Sequence, residues 1–277
     1  MQSSKSERRY YRIGGIGIQI DAPVFREADY LAPFRTDRLI PELFVQVTMV
    51  DAIQTDVDMS DKSGWIESGS DRLLKDDRDH RVIVKATYAD HDHIRVEIDR
   101  SRPECCGSHL LLKVLRLPHY VLRHHAAFLH ASFIEHNGSA ILFTAKSQTG
   151  KSTQAALWEK YRGAFVVNGD RTLLRKENGV WLACGSPYCG TSKICHDRTL
   201  PIRAVVILSQ ARVNTARRAD IQTAFTALLS GCSFEPACEE EVKAVTDIAG
   251  DLITSVPFYT LACTPDERAV TELERVL

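Results

Sequence analysis

The sequence predicts a chain of α+β or α/β class with a β-rich N-terminal region, and three observations predict it. Residues 1 to about 105 carry short apolar runs with two-residue alternation, the mark of half-buried strands. Between His109 and His125 the spacing changes to three and four, with Leu110, Leu111, Val114, Leu117 and Val121 on one helical face. From Phe128 onward, apolar runs of strand length alternate with helical stretches, as they do where helices flank a sheet.

A chain of 277 residues suffices for one large or two modest domains, and 44% hydrophobic with 26% charged residues is ordinary globular composition. A net charge of −1 gives no general electrostatic grip on nucleic acid or an anionic membrane. No apolar run approaches the ~20 residues of a spanning helix. The first ten residues hold no apolar core of a secretory signal, so a cytoplasmic location is the expectation. Eight cysteines without a C-x-x-C pair lack zinc-ribbon spacing and are read as reduced, buried thiols, with Cys189 set apart by its Gly- and Pro-bounded loop.

Taken in order, the first strands are Tyr11–Ile13 and Ile16–Ile20, then Leu43–Val50. Arg81–Tyr88 and Ile94–Ile98 flank Asp90-His91-Asp92, a hairpin turn, and residues 56–61 form an acidic loop. The Gly14-Gly15-Ile16-Gly17 cluster opens no helix and is not a dinucleotide fingerprint. The segment 108–125 reads as a connecting helix that Pro118 kinks or breaks. It divides a β-rich region, 1–107, from the remainder, 108–277.

The chemistry lies in that remainder. Phe128–Ile134 is a strand, His136-Asn137-Gly138-Ser139 a hairpin turn, and Ala140–Phe143 the returning strand. It runs into Ala145-Lys146-Ser147-Gln148-Thr149-Gly150-Lys151-Ser152-Thr153 and then a helical pattern through Tyr161. Strand, tight loop and helix with Gly-Lys-Ser-Thr at the join is the context of a phosphate-binding loop, a P-loop. The free N–H groups and the positive helix end there attract phosphate. Lys151 adds a point charge, and the Ser152 hydroxyl is a ligand for Mg²⁺. Ala145 replaces the usual first glycine and requires negative φ at that position.

After the helix, Gly163–Asp170 is an apolar strand ending in aspartate. Strands joined by a helix run parallel and end at one sheet edge, which places Asp170 near Lys151 and Ser152. A carboxylate there holds Mg²⁺ or takes a proton from an attacking hydroxyl. Asn-Gly-Asp is also turn chemistry. Counting from the first hairpin turn puts His130 opposite the loop, where core residue and site residue are both open. Thr172–Arg175 and Val180–Ala183 flank a second hairpin turn at Glu177-Asn178-Gly179, followed by a small-residue loop, Cys184–Lys193, readable as connection or as substrate contact. A strand at Pro201–Leu208, helices near 220–229 and 239–254, a strand at Pro257–Cys263 and a last helix capped by Thr264 or Asp266 complete the chain.

From His130 on, the sequence resembles the HPr kinase/phosphorylase-like family, relatives of phosphoenolpyruvate carboxykinase. The resemblance rests on Phe128-Leu129-His130-Ala131-Ser132, Ser147-x-x-Gly150-Lys151-Ser152-Thr153 and Asn168-Gly169-Asp170-Arg171. Gly185-Ser186-Pro187-Tyr188-Cys189-Gly190 and the Pro257–Asp266 stretch are similar to the branch found among peptide-modification gene clusters. The resemblance implies a P-loop nucleotide domain and a Mg²⁺-dependent kinase acting on a serine hydroxyl of a peptide or small protein. It implies Asp170 as base or metal ligand, Ser152 as metal ligand, and His130 acting on Asp170. Lys151 and the loop residues Ser147, Gln148, Thr149, Gly150, Ser152 and Thr153 then bind the nucleotide. Arg171 and Lys193 are spare cations beside it. HPr kinases proper carry two adjacent aspartates where this chain has Gly169-Asp170, and their Glu-Arg-Gly signature is absent, so HPr itself is not the expected substrate. The donor stays open among ATP, ADP and pyrophosphate, as does assembly into a homo-oligomer. A nucleotide-binding regulatory protein and a kinase of free serine or another metabolite are the alternatives.

Overall fold

A computed structural model describes residues 6–57 and 64–277, and the chain folds as two compact units, 1–117 and 118–277. The expected acidic loop at 56–61 lies mostly outside the described residues.

The first unit is built on an eight-stranded sheet in the order β3-β1-β2-β4-β8-β7-β6-β5. Its strands are β1 (Glu7–Ile13), β2 (Ile16–Ala22), β3 (Arg35–Thr36), β4 (Leu43–Val50), β5 (Trp65–Ser68), β6 (Asp71–Lys75), β7 (Val82–Tyr88) and β8 (His93–Asp99). Gly14 and Gly15, both at positive φ, make the β1–β2 turn. Asp90 Oδ1 accepts from the Asp92 and His93 amides in the β7–β8 turn. Alternation buries Val45, Val47, Val96 and Ile98 on one face, where they meet Leu110, Leu111 and Val114 of α1 (Ser108–Leu115). The β5–β6 hairpin was not expected from sequence. Its strands are short and charged, and Ile66 and Leu73 are the buried aliphatic side chains they contribute.

The helical segment breaks where proline demands it. Arg116 is left-handed, and α2 (Leu117–Leu122) starts one residue before Pro118.

The second unit carries the remaining strands: β9 (Ala127–His136), β10 (Ser139–Thr144), β11 (Phe165–Asn168), β12 (Arg171–Glu177), β13 (Val180–Cys184), β14 (Thr199–Gln210), β15 (Thr215–Arg218) and β16 (Phe258–Cys263). Both hairpin turns, Asn137-Gly138 and Asn178-Gly179, take positive φ at each residue, the geometry that matches strand twist. The pairings β10–β9–β12–β13–β14 return to β10, a closed cycle of strands, with β16 and then β15 added beside β14.

Helices cover both faces. Alternate residues Ile134, Ile141, Phe143, Val206 and Leu261 pack under α3 (Lys151–Arg162) and α6 (Glu267–Glu274) around the fully buried Trp158. Their neighbours Ala131, Phe133, Leu142, Val205 and Phe258 pack under α4 (Ile221–Gly231) and α5 (Glu239–Ser255). Asp220 and Asp266 cap α4 and α6 through their side chains. Among the described residues, no helix is long and apolar enough to cross a membrane. All eight cysteines are unpaired.

Candidate active site

The loop 145–150, expected from the sequence to bind phosphate, sits between β10 and α3. Two of its residues are left-handed, Gln148 at φ 62° and Gly150 at φ 117°, while Ala145 is not, as its Cβ requires. Gly150 is the residue before α3, and no side chain caps that helix. The first turn therefore offers its N–H groups, and the positive end of its dipole, to whatever binds there. Ser147, Gln148 and Thr149 line the groove beside the loop, whereas Ser152 and Thr153 stand exposed on the first turn of the helix. Lys151 is 7% exposed and folds back on its own loop, its Nζ donating to Ala145 O at 3.2 Å and Lys146 O at 3.4 Å. Burial pushes its ammonium below the ordinary lysine range, and Asp170 opposes that.

Asp170 reaches the same region from the strand that follows α3. β10 and β11 do run parallel, but β9 lies between them and pairs antiparallel with both. A one-residue bulge at Val167 interrupts β11, and β12 then continues along β9 with Arg171 opposite His130. On the other side of β9, Thr144 pairs with Ala131, so His130 falls next to the start of the loop. The loop after β10 and the Asp170 bend after β11 thus lie on either side of His130, which sits within β9.

His130 Nε2 lies 3.2 Å from Asp170 Oδ1, and Arg171 Nε lies 3.9 Å from Oδ2. The hydrogen bond from His130 holds the Asp170 carboxyl below the usual carboxylate range, helped by the charges of His130, Arg171 and Lys151 and opposed by burial. The Arg171 guanidinium also donates to the Ser233 hydroxyl. Across the loop, the Ser152 hydroxyl donates to Gly169 O at 3.4 Å, which ties the helix start to the residue before Asp170. Lys193 is exposed at the end of a short 3₁₀ turn, Gly190–Ser192.

Asn168 and the Cys184–Lys193 loop, to which the sequence assigned no supporting role, complete the site. Asn168 is fully buried, and its Oδ1 accepts from the amides of Asp170 (2.9 Å) and Arg171 (3.0 Å). Its Nδ2 donates to Ser186 O at 2.7 Å. The Cys184–Lys193 loop is therefore a clasp on the Asp170 bend. Arg171 N donates to Tyr188 O, Gly169 N to Ile194 O, and Ser186 Oγ to Arg171 O. Gly190 stands so close that a Cβ there would lie 2.8 Å from Asp170 Cγ. Cys189 is buried inside this clasp against Cys195, whose thiol burial pushes up to about 12. An Asn directly before a Gly-Asp turn was the available signal for this role, since Asx side chains bond backbone amides two residues on.

A groove of about 980 Å³ opens on the α4 side of the loop. It runs from His130 past residues 145–149 to the end of β14 at Gln210, with Gln222, Thr226 and Ser230 of α4 as its far wall. Apart from His130 and Lys146, its lining is uncharged, with Ile207, Leu208 and Ala227 as apolar surface. Asp170 does not line this groove but contacts His130, which does. No local motif marks these α4 residues, so sequence reading had no means to place them.

No protein-family model matches the chain, and no curated protein matches it. Among solved structures, an HPr(Ser) kinase/phosphatase from Coxiella burnetii is similar at a TM-score of 0.31 and 15% identity, over 54% of this chain and 94% of that one. A likeness at that level carries no weight for fold or function.

Proposed function

We propose that the chain is a P-loop kinase that transfers a terminal phosphoryl group from a nucleotide to a serine hydroxyl, with a peptide or small protein as acceptor. The observation that carries the reading is the meeting of an uncapped helix start bearing Lys151 with an Asp170 carboxylate paired to His130. Phosphate binding alone needs only the former. A carboxylate held ionised beside it adds an acceptor for the proton of an attacking hydroxyl.

In this reading the phosphates take the N–H groups of residues 147–153 and draw the Lys151 ammonium off the carbonyls of Ala145 and Lys146. Lys151 then stabilises charge that develops on the transferred group. The acceptor oxygen attacks the terminal phosphorus, the bond to the bridging oxygen breaks, and the hydroxyl proton passes to Asp170. His130 orients Asp170 and favours its ionised form. The donor set also fits Mg²⁺, which takes one or two carboxylates, phosphate oxygens and water. Ser152 Oγ and Asp170 would hold the ion, and bound there it would neutralise phosphate charge. The uncharged groove beside the loop suits a base and ribose, a mixture of apolar surface with a few amides and hydroxyls. A nucleoside in that groove leaves the Asp170 side to the acceptor.

Incubation with labelled ATP, Mg²⁺ and serine-containing peptides or free serine tests the reading. Labelled product that requires both Lys151 and Asp170 supports it. Nucleotide binding without any transfer or hydrolysis turns it into the regulatory alternative, and transfer to free serine alone replaces the peptide acceptor.

A further inference from the structure

We propose that Asn168, with Ser132, is the positioning residue for the catalytic carboxylate: it sets where Asp170 points without touching either substrate. The inference rests on the reading of Asp170 as proton acceptor and adds two residues to it.

Asp170 lies in no strand. It occupies a two-residue gap, Gly169-Asp170, between β11 and β12. Ladder pairing holds the chain on either side, at Asn168 opposite Phe133 and at Arg171 opposite His130. Within the gap other bonds must fix the backbone. The Asn168 amide supplies one there and one at the start of β12, accepting from the Asp170 and Arg171 N–H groups at 2.9 and 3.0 Å, while its own NH₂ is anchored on Ser186 O at 2.7 Å. Donor and acceptor ends are thus assigned by their partners, and the side chain is fully buried. Ser132, equally buried, donates to Gly169 O at 3.1 Å from the facing strand. Ser152 donates to the same carbonyl at 3.4 Å. With Ser132 in place, that carbonyl keeps a partner when the Ser152 hydroxyl turns to a phosphate or metal ion. Between them these bonds hold the Gly169–Asp170 peptide on both sides, and so hold the carboxylate at 3.2 Å from His130.

Four variants test this: Asn168→Ala, Asn168→Asp, Ser132→Ala and Asp170→Asn. The readouts are kcat, nucleotide dissociation constant by calorimetry and thermal midpoint. Asn168→Ala is expected to lower kcat by about a hundredfold, the scale of a 1 Å misplacement, with nucleotide affinity within about twofold. Ser132→Ala, losing one hydrogen bond, is expected to lower kcat by about two- to tenfold on the same terms. Asn168→Asp keeps the acceptor for both amides but faces a carboxylate to Ser186 O. It should therefore melt no later than Asn168→Ala and still be the more active of the two. A residue that served stability alone would give activities in the order of the thermal midpoints, and that order overturns the proposal. So does wild-type kcat in Asn168→Ala, or in Ser132→Ala should Asn168→Ala fail to fold. Asp170→Asn separates the two levels. If it is inactive while the Asn168 and Ser132 variants are unaffected, the positioning claim alone fails; if it is fully active, the reading of Asp170 fails.

Discussion

Replacing Gly190 by alanine perturbs the proposed site through geometry that can be worked out atom by atom. Gly190 has φ +56°, a conformation that costs a residue with a Cβ about 1–2 kcal/mol. The new Cβ would also stand 2.8 Å from Asp170 Cγ, 2.9 Å from its Cβ and 3.2 Å from Oδ1. Carbon atoms pack at about 3.5–4.0 Å, so something must yield by nearly 1 Å. The Asp170 side chain is the movable partner, and its displacement disturbs the 3.2 Å contact with His130. Overpacking of this kind costs about 1–3 kcal/mol, which with the backbone cost makes roughly 2–5 kcal/mol in all. Displacement of the carboxylate by about 1 Å is expected to lower kcat by about a hundredfold. Gly163 supplies the control, since it too has positive φ, +63°, but a Cβ there would meet nothing within 4 Å. Gly163→Ala should pay the backbone cost of about 1–2 kcal/mol alone and keep wild-type kcat. Urea unfolding and steady-state rates measured on both variants decide the matter. Equal kcat for Gly190→Ala and Gly163→Ala would refute the proposal that the carboxylate the clasp touches takes part in the reaction.

Two further variants probe the site. His130→Ala removes the main cause of the depressed Asp170 pKa, so the carboxyl titration followed by carbon NMR should move up from its low wild-type value. Because the folded pKa lies below the unfolded value of about 3.9, the Asp170 contribution to stability is present above that pH and lost as pH falls through the folded value. The stability gap between wild type and His130→Ala should accordingly shrink on acidification below about pH 4, and a gap that widens there would count against the pairing. Thr226→Trp fills the groove on the α4 side. Calorimetry should show ATP binding weakened by tenfold or more, on the order of 1.4 kcal/mol, with tripolyphosphate binding unchanged; equal loss for both ligands would remove the nucleoside from the groove.

How far the sequence carried depended on whether the information was local. Asn137-Gly138 and Asn178-Gly179 announced their hairpins because paired left-handed residues admit few other turns. The strand–loop–helix join was legible for the same reason, and counting back from the Asn137-Gly138 turn was enough to bring His130 beside the loop. What escaped was set by partners distant in the chain. That β10 and β11 run parallel could be read from the helix between them, but not that β9 pairs both of them and lies between. Asn168 reads locally as turn chemistry, and its link to Ser186 appears only when the 184–193 loop folds back. Gln222 and Thr226 belong to an amphipathic helix whose place over the groove no spacing specifies. Short charged strands such as β5, β6 and β15 bury too little to print a pattern.

The most direct test of the central claim follows the label from terminally labelled ATP with Mg²⁺ present, in wild type, Lys151→Ala and Asp170→Asn. The account predicts labelled phosphoserine on an acceptor in the wild type, and its loss in both variants, with Asp170→Asn still binding nucleotide. Transfer that survives in Asp170→Asn at the wild-type rate, or a wild type that binds ATP yet phosphorylates no hydroxyl and releases no phosphate, would contradict it.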